Sequence, residues 1–203
     1  MKKVFITLVA AFLCLGARAQ ENDGFLTHVY MPVDAGISFS SMEGVGGAFY
    51  MRASLEYRFN IHKGLFILGE LDTRTHPYKA GSLVYGNVQA GDAAYIDLLI
   101  GPGYRWALSD SFKLAFSLQG GASILSFKEV SEVTPEGKYT LSPVDKWYPA
   151  AKAGLMAEYY IDPAFCLFLA AGVPVTRIPV EPASMDPFVF FPTLSIGFNM
   201  ALQ

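Results

Sequence analysis

Few side chains in this 203-residue sequence are equipped for catalysis or metal ligation. Nucleophilic or acid–base chemistry usually needs a histidine oriented by a carboxylate, and the chain has three histidines: His28, His62 and His76. His28 opens a segment of alternating polarity, and His62 falls in a short turn. His76 sits where a long loop begins, in Arg74-Thr75-His76-Pro77-Tyr78, with Asp72 close by. A rim histidine beside a proline reads as ordinary loop chemistry. Two cysteines, Cys14 near the N-terminus and Cys166, make no Cys metal cluster, and no His or Cys pair has metal-ligand spacing. Glu129, Glu132 and Glu136 lack the alternating-carboxylate loop of a dedicated calcium site. The sequence assigns no catalytic residue, no metal and no cofactor.

The charged residues carry the stronger pattern. Arg52, Glu56 and Arg58 recur at even spacing between Met51, Leu55, Tyr57 and Phe59. Glu70, Asp72 and Arg74 do the same against Leu65, Ile67 and Leu71. Asp34, Asp97, Arg105, Lys113, Lys152 and Glu158 occupy equivalent positions in other segments. Successive strand side chains face opposite sides, so this period marks strands with one charged and one apolar face. Six of the twelve are basic and six acidic. An enclosed interior demands such a balance, because an unpaired buried charge costs several kcal/mol.

Composition narrows what can position them. The chain is 52% hydrophobic and only 16% charged, with a mean hydropathy of +0.32, a lean toward a membrane environment. Past residue 20, however, the longest apolar run is Ala164 to Val175, interrupted by Gly172 and Pro174, and a membrane helix needs about 20 such residues. Met1 to Ala19 has Lys2 and Lys3, an apolar stretch from Val4 to Leu15, then Ala17-Arg18-Ala19. That order reads as a cleavable secretory leader. Its apolar stretch is too short for an anchor, and Leu13 is a poor residue before a lipidated Cys14. Residues 20–203 then form one domain. Three of the 15 basic residues fall in the leader, so 12 remain against 18 acidic ones, a net −6. That excludes a nucleic-acid partner, which wants a basic face. Cys166, the remaining thiol, reads as a small buried hydrophobe.

Eight alternating segments follow: 28–39, 51–59, 65–74, 95–106, 112–124, 148–161, 165–176 and 193–202. Segment 165–176 is apolar on both faces and leaves its phase open. Tight turns at Asn60 to Lys63, Ser109 to Ser111 and Asp162 to Ala164 alternate with longer connections at 40–47, 75–92, 125–147 and 177–187. The expected fold is all-β: an eight-stranded antiparallel up-and-down transmembrane β-barrel, with three short periplasmic turns and four longer extracellular loops. A soluble, lipocalin-like barrel shares the strand number. Against it stands a set of outward aromatics beside the short turns, Tyr57, Phe59, Tyr104, Trp106, Phe112, Tyr159 and Phe165, placed as an interface girdle. Sign balance on the charged face and small residues on both faces point the same way.

Leader, strands and loop alternation together resemble the small eight-stranded outer-membrane β-barrel family of Gram-negative bacteria, similar to the barrel domain of outer-membrane protein A. The resemblance covers Phe25 to Gln203. Its most specific part is the last strand, where the family's polar-x-Gly-x-x-hydrophobic-x-hydrophobic assembly signal fits Ser195, Gly197, Met200 and Leu202. The family ends in an aromatic residue; this chain ends Leu202-Gln203. The resemblance implies outer-membrane lipid and the barrel assembly machinery as partners, and a monomer. A barrel of eight strands is just wide enough to be filled by side chains, so the expected lumen is plugged, with Tyr95 and Gln119 also pointing in. The expected role is non-enzymatic, structural or surface-interacting, with Ser126 to Lys146 as the candidate binding loop for an extracellular protein or surface ligand. A lipid-modifying enzyme is the alternative, although no motif of the deacylating or palmitoylating barrels is present. A small-solute pore is the other.

Overall fold

The computed structural model describes residues 28–41, 46–59, 64–79, 90–127, 130–134, 137–141, 146–177 and 188–202. The expected leader, the turn holding His62, and the acidic positions 129 and 136 lie outside them. In order, the strands are β1 (Val29–Ser38), β2 (Ala48–Arg58), β3 (Leu65–Lys79), β4 (Ala90–Ala107), β5 (Phe112–Phe127), β6 (Val130–Thr134), β7 (Gly137–Leu141), β8 (Lys146–Asp162), β9 (Phe165–Arg177), β10 (Phe188–Phe190) and β11 (Thr193–Ala201).

Each strand from β1 to β5 pairs antiparallel with the next; β8 follows β5, β9 follows β8, and β11 joins β9 to β1. Eight strands therefore close on themselves, so the sheet has no unpaired first or last strand. The short β10 continues the β9 ladder at the loop end, and β6 and β7 form a separate hairpin. At the turn end Gly64 adopts φ 114°, a left-handed conformation that favours glycine. Its amide neighbourhood is tied to the wall by the Arg105 N–H, which donates to the Gly64 carbonyl at 2.7 Å.

The face assignment is that of a transmembrane barrel. Leu98, Ile100, Leu118, Leu155, Leu169, Leu194 and Ile196 are exposed on the outside, whereas Arg52, Glu56, Glu70, Asp72, Arg74, Asp97 and Glu158 are buried inside. A water-soluble barrel reverses this. The turn-end belt contains Tyr104, Trp106, Phe112 and Tyr159, all exposed. Tyr57 and Phe59 are half-buried and meet edge to face, and Phe165 stacks on Phe198. A second belt at the loop end is made by Phe39, Phe49, Trp147, Phe188 and Phe190. Rings at both interfaces are what a spanning barrel needs.

The strands outrun the expected segments at the loop end. Residues 75–79 and 90–94 belong to one ladder that reaches Lys79↔Ala90. Residues 125–127 extend β5, and 130–134 pair with 137–141 inside the expected third loop. Backbone pairing explains the difference: a ladder needs no apolar face, so it continues past the point where lipid imposes alternation. β10 was hidden for another reason. Phe188–Phe190 and Thr193–Ala201 share one register on β9, separated by Pro192, which has no N–H to give a ladder.

Candidate functional site

The inward side chains of β1 to β5, β8, β9 and β11 form the most chemically dense region among the described residues. Their ion pairs fall into two sets. At the turn end, Arg105 on β4 reaches Glu158 on β8 through Nε (2.6 Å) and Nη2 (2.8 Å), and Glu56 on β2 through Nη2 (2.8 and 2.9 Å). Arg58 Nε donates to Glu56 at 2.5 Å, and the Tyr160 hydroxyl donates to Glu158 at 3.1 Å. The Arg58 guanidinium lies 3.3 Å from the Tyr30 ring centroid. Two cations thus face two carboxylates in this set.

The other set draws on seven strands. Arg52 holds Asp34 in a two-pronged pair, Nε to Oδ1 and Nη2 to Oδ2, both 2.8 Å, and reaches Glu70 at 3.2 Å. The Ser195 hydroxyl of β11 donates to the same Asp34 at 2.5 Å. Lys152 on β8 donates to Glu70 and to the Tyr50 hydroxyl (3.0 Å), and lies 3.4 Å from Asp72. Gln119 adds a donor to Glu70 at 3.3 Å. Arg74 Nη1 sits 2.9 Å from Asp72 and 2.7 Å from Asp97, which face one another across the β3–β4 ladder. Four carboxylates meet three cations, so this set is acid-rich.

An apolar layer links the two. Phe66, Leu68, Ala115, Met156, Phe168 and Ala170 cluster inside the barrel. Arg105 lies over the Phe66 ring on one side, and Arg52 lies over Phe168 and near the Met156 sulfur on the other. No ion pair among the described residues bridges the two sets. Phe66 and Leu68 sit on the same inward parity as Glu70, but their apolar character gives them no contrast with the outward side, so alternation alone misses this layer.

Two expectations are corrected. Lys113 was grouped with the interior charges, but it is half-exposed at the turn end. It makes no ion pair within 4 Å among the described residues; its ammonium lies 3.9 Å from the Tyr160 ring centroid. Its strand begins at Phe112, so the side chain sits at the mouth and not in the wall's buried stretch. His76, read as rim loop chemistry, is fully buried within β3. Its Nδ1 lies 2.8 Å from the Gly46 carbonyl, which only accepts, so Nδ1 carries a proton and the neutral ring's Nε2 accepts from Ser38 Oγ at 3.2 Å. Its even parity with Asp72 and Arg74 was the available signal. Beside it lie Tyr95 and Phe191, whose centroids are 4.8 Å apart, and Arg74 sits over both rings. The sequence does not single out Phe191, because Pro192 hides the short β10 that ends beside it.

The proposed assembly-signal positions are all on or beside β11. Ser195 bonds Asp34 as above, while Met200 pairs with Met31 and with Phe165. Leu202 N donates to the Val29 carbonyl at 2.9 Å. Gly197 has a packing reason of its own: a Cβ there would overlap the Val33 carbonyl, the Asp34 Cβ and the Phe168 ring. Gly197→Ala is therefore expected to destabilise the folded barrel by about 1–3 kcal/mol through overpacking, measured by urea titration in lipid vesicles. An unchanged midpoint would overturn that packing argument.

No family model and no curated protein matches the chain. Solved structures do. The chain is similar to Neisserial surface protein A, with 17% identity and a TM-score of 0.50, over 85% of this chain and 96% of that one. It is also similar to Ail, the attachment invasion locus protein of Yersinia pestis, solved with the heparin analogue sucrose octasulfate (13%, TM-score 0.48, 85% and 99%). A third is the outer membrane protein OprG of Pseudomonas aeruginosa (11%, TM-score 0.48, 87% and 97%). At these identities the likeness concerns the fold. The closed eight-strand ladder, the apolar exterior and the ion-paired interior are thus those of an all-β, antiparallel transmembrane barrel, the fold of the small outer-membrane proteins.

Proposed function

We propose that this protein is an integral outer-membrane barrel with a side-chain-plugged lumen and a non-enzymatic role, structural or surface-interacting, exerted through its loop end. The observation that carries the reading is the interior itself. Asp34, Arg52, Glu56, Arg58, Glu70, Asp72, Arg74, Asp97, Arg105, Lys152 and Glu158 all have ion-pair partners within the wall, with an apolar layer between the two sets. Paired charges in a barrel this narrow leave side chains where a pore needs water. Both ring nitrogens of His76 face Ser38 and Gly46, which leaves no carboxylate to orient it as a base.

In this reading residues 1–19 are the export leader, and the short turns face the periplasm. Ser195, Gly197, Met200 and Leu202 are read by the barrel assembly machinery, and the barrel acts as a monomer in outer-membrane lipid. The presented surface begins past Phe49 and Trp147, and between β5 and β8 the chain carries the β6–β7 hairpin. That supports residues 126–146 as the surface that meets a protein or other surface ligand.

The test combines two measurements on one preparation. Purified protein should migrate faster on a denaturing gel unboiled than boiled, and should give no stable single-channel current in a planar bilayer. Absence of the heat shift would overturn the barrel; steady conductance would overturn the plug. Protease cleavage within 126–146 on intact cells should abolish adhesion, and adhesion that survives cleavage would remove the loop from the proposal.

A further inference from the structure

The acid-rich set lies between two closures of different make. On its turn side is the apolar layer of Phe66, Leu68, Met156 and Phe168. On its loop side Phe191 is fully buried, with ring centroids 5.0 Å from His76 and 4.8 Å from Tyr95. Arg74, which holds both Asp72 and Asp97, lies 4.7 Å from the Phe191 centroid. The Phe191 ring thus stands directly over the one place in the interior where carboxylates outnumber cations among the described residues.

The wall that carries Phe191 is weakened on both sides. Phe191 N donates to the Pro174 carbonyl at 2.8 Å, but Pro174 has no N–H to return the bond. Phe39 N likewise donates to the Pro192 carbonyl at 2.8 Å, and Pro192 has no N–H to return that one. Two ladder bonds are missing within two residues of the ring, one toward β9 and one toward β1, while Phe190 N donates to Ser41 Oγ at 3.1 Å and Ser41 N to the Phe190 carbonyl at 2.9 Å just beyond them. Elsewhere β11 is bonded to both β1 and β9 in unbroken register.

We infer that Phe191 is a hinged stopper over an interior chamber that accepts small cations from the loop side. The inference rests on the plugged-lumen reading and adds a position at which the plug opens. When the ring leaves, the groups exposed from every strand around the opening are Asp34, Arg52, Tyr50, Glu70, Asp72, Arg74, His76, Asp97, Tyr95 and Lys152. Their formal charges sum to one net negative with His76 neutral, so the opening attracts a cation and repels an anion. The apolar layer remains as a floor, so entry does not by itself make a pore.

A thiol reporter separates these claims. Ser123 is fully buried and pairs with Asp97 across the β4–β5 ladder, so Ser123→Cys places a thiol in the chamber. The full chain, folded in micelles and verified by its heat shift, is treated with 2-aminoethyl methanethiosulfonate (cationic) or its 2-sulfonatoethyl counterpart (anionic). Protein without Ser123→Cys corrects for Cys166. Ser123→Cys alone should label slowly with both reagents. Adding Phe191→Ala should accelerate labelling, with the cationic reagent ahead by about tenfold. Phe191→Val gives a smaller acceleration of the same sign, and serves if the alanine variant loses its heat shift. Unaccelerated labelling overturns the stopper, and equal rates for the two reagents overturn cation preference. Rapid labelling with Phe191 intact overturns the plugged-lumen reading instead.

Discussion

Arg105→Ala is expected to cost about 3–5 kcal/mol of stability. One guanidinium serves both Glu56 and Glu158, and both carboxylates are fully buried. Removing it strands two negative charges that have lost most of their solvent. Arg58 still reaches Glu56, and Tyr160 still donates to Glu158, but neither replaces a two-pronged cation. The measurement is urea unfolding of vesicle-folded protein, followed by fluorescence of Trp106 and Trp147. A loss under about 1 kcal/mol would mean that water reaches this set and that the interior is open. A second variant fixes the cause. Arg105→Met combined with Glu158→Gln, which leaves Glu56 paired with Arg58, should recover much of the loss, because the penalty belongs to the orphaned charge and not to missing volume.

Leu169→Arg should cost about 2–4 kcal/mol in a bilayer. Leu169 is 58% exposed in the middle of β9, opposite Ile196 on β11 and Ala157 on β8. On a water-soluble barrel an exposed leucine changed to arginine moves stability by only about 0.5 kcal/mol. The two environments therefore predict different outcomes for the same substitution. The comparison is with Phe112→Arg at the turn-end belt, where the penalty falls to about 0–1 kcal/mol. Equal costs at the two depths would remove the lipid from the argument. A depth-dependent cost identifies the band between the aromatic belts as the span.

Both experiments probe features that differ in how readable they were. Alternation carried the eight strands, because lipid on one side and paired charge on the other impose contrast at every second residue. It also placed Arg52, Glu70 and Lys152 on the inward parity. What it lacked was a partner list: strand tilt decides that Arg105 of β4 meets Glu56 of β2, and tilt leaves no mark on composition. Where both faces are apolar the contrast vanishes. For that reason β9 had no phase until its register set Leu167, Leu169 and Val173 outward and Cys166, Phe168 and Ala170 inward. The apolar layer through Phe66 and Leu68 was invisible for the same reason. Prolines hid the remainder: Pro77 made β3 look finished at Arg74, and Pro192 separated β10 and Phe191 from β11. The charge balance was legible only as a total. Its division into an even set and an acid-rich set follows from Lys113 standing at the mouth.

The join between the first and last strands sets how fast such a barrel can form. β11 supplies hydrogen bonds to β1 on one side and β9 on the other, and the Ser195–Asp34 bond spans 161 positions of chain. Hairpins such as β3–β4 form from neighbouring residues, whereas this seam must wait for the ends of the domain to meet, against the largest loop-closure entropy in the molecule. Until it does, β1 and β11 each present an unpaired edge able to bind a neighbouring chain. The seam is therefore the natural rate-limiting step, and substitutions along it should slow assembly more than they lower the stability of the finished barrel.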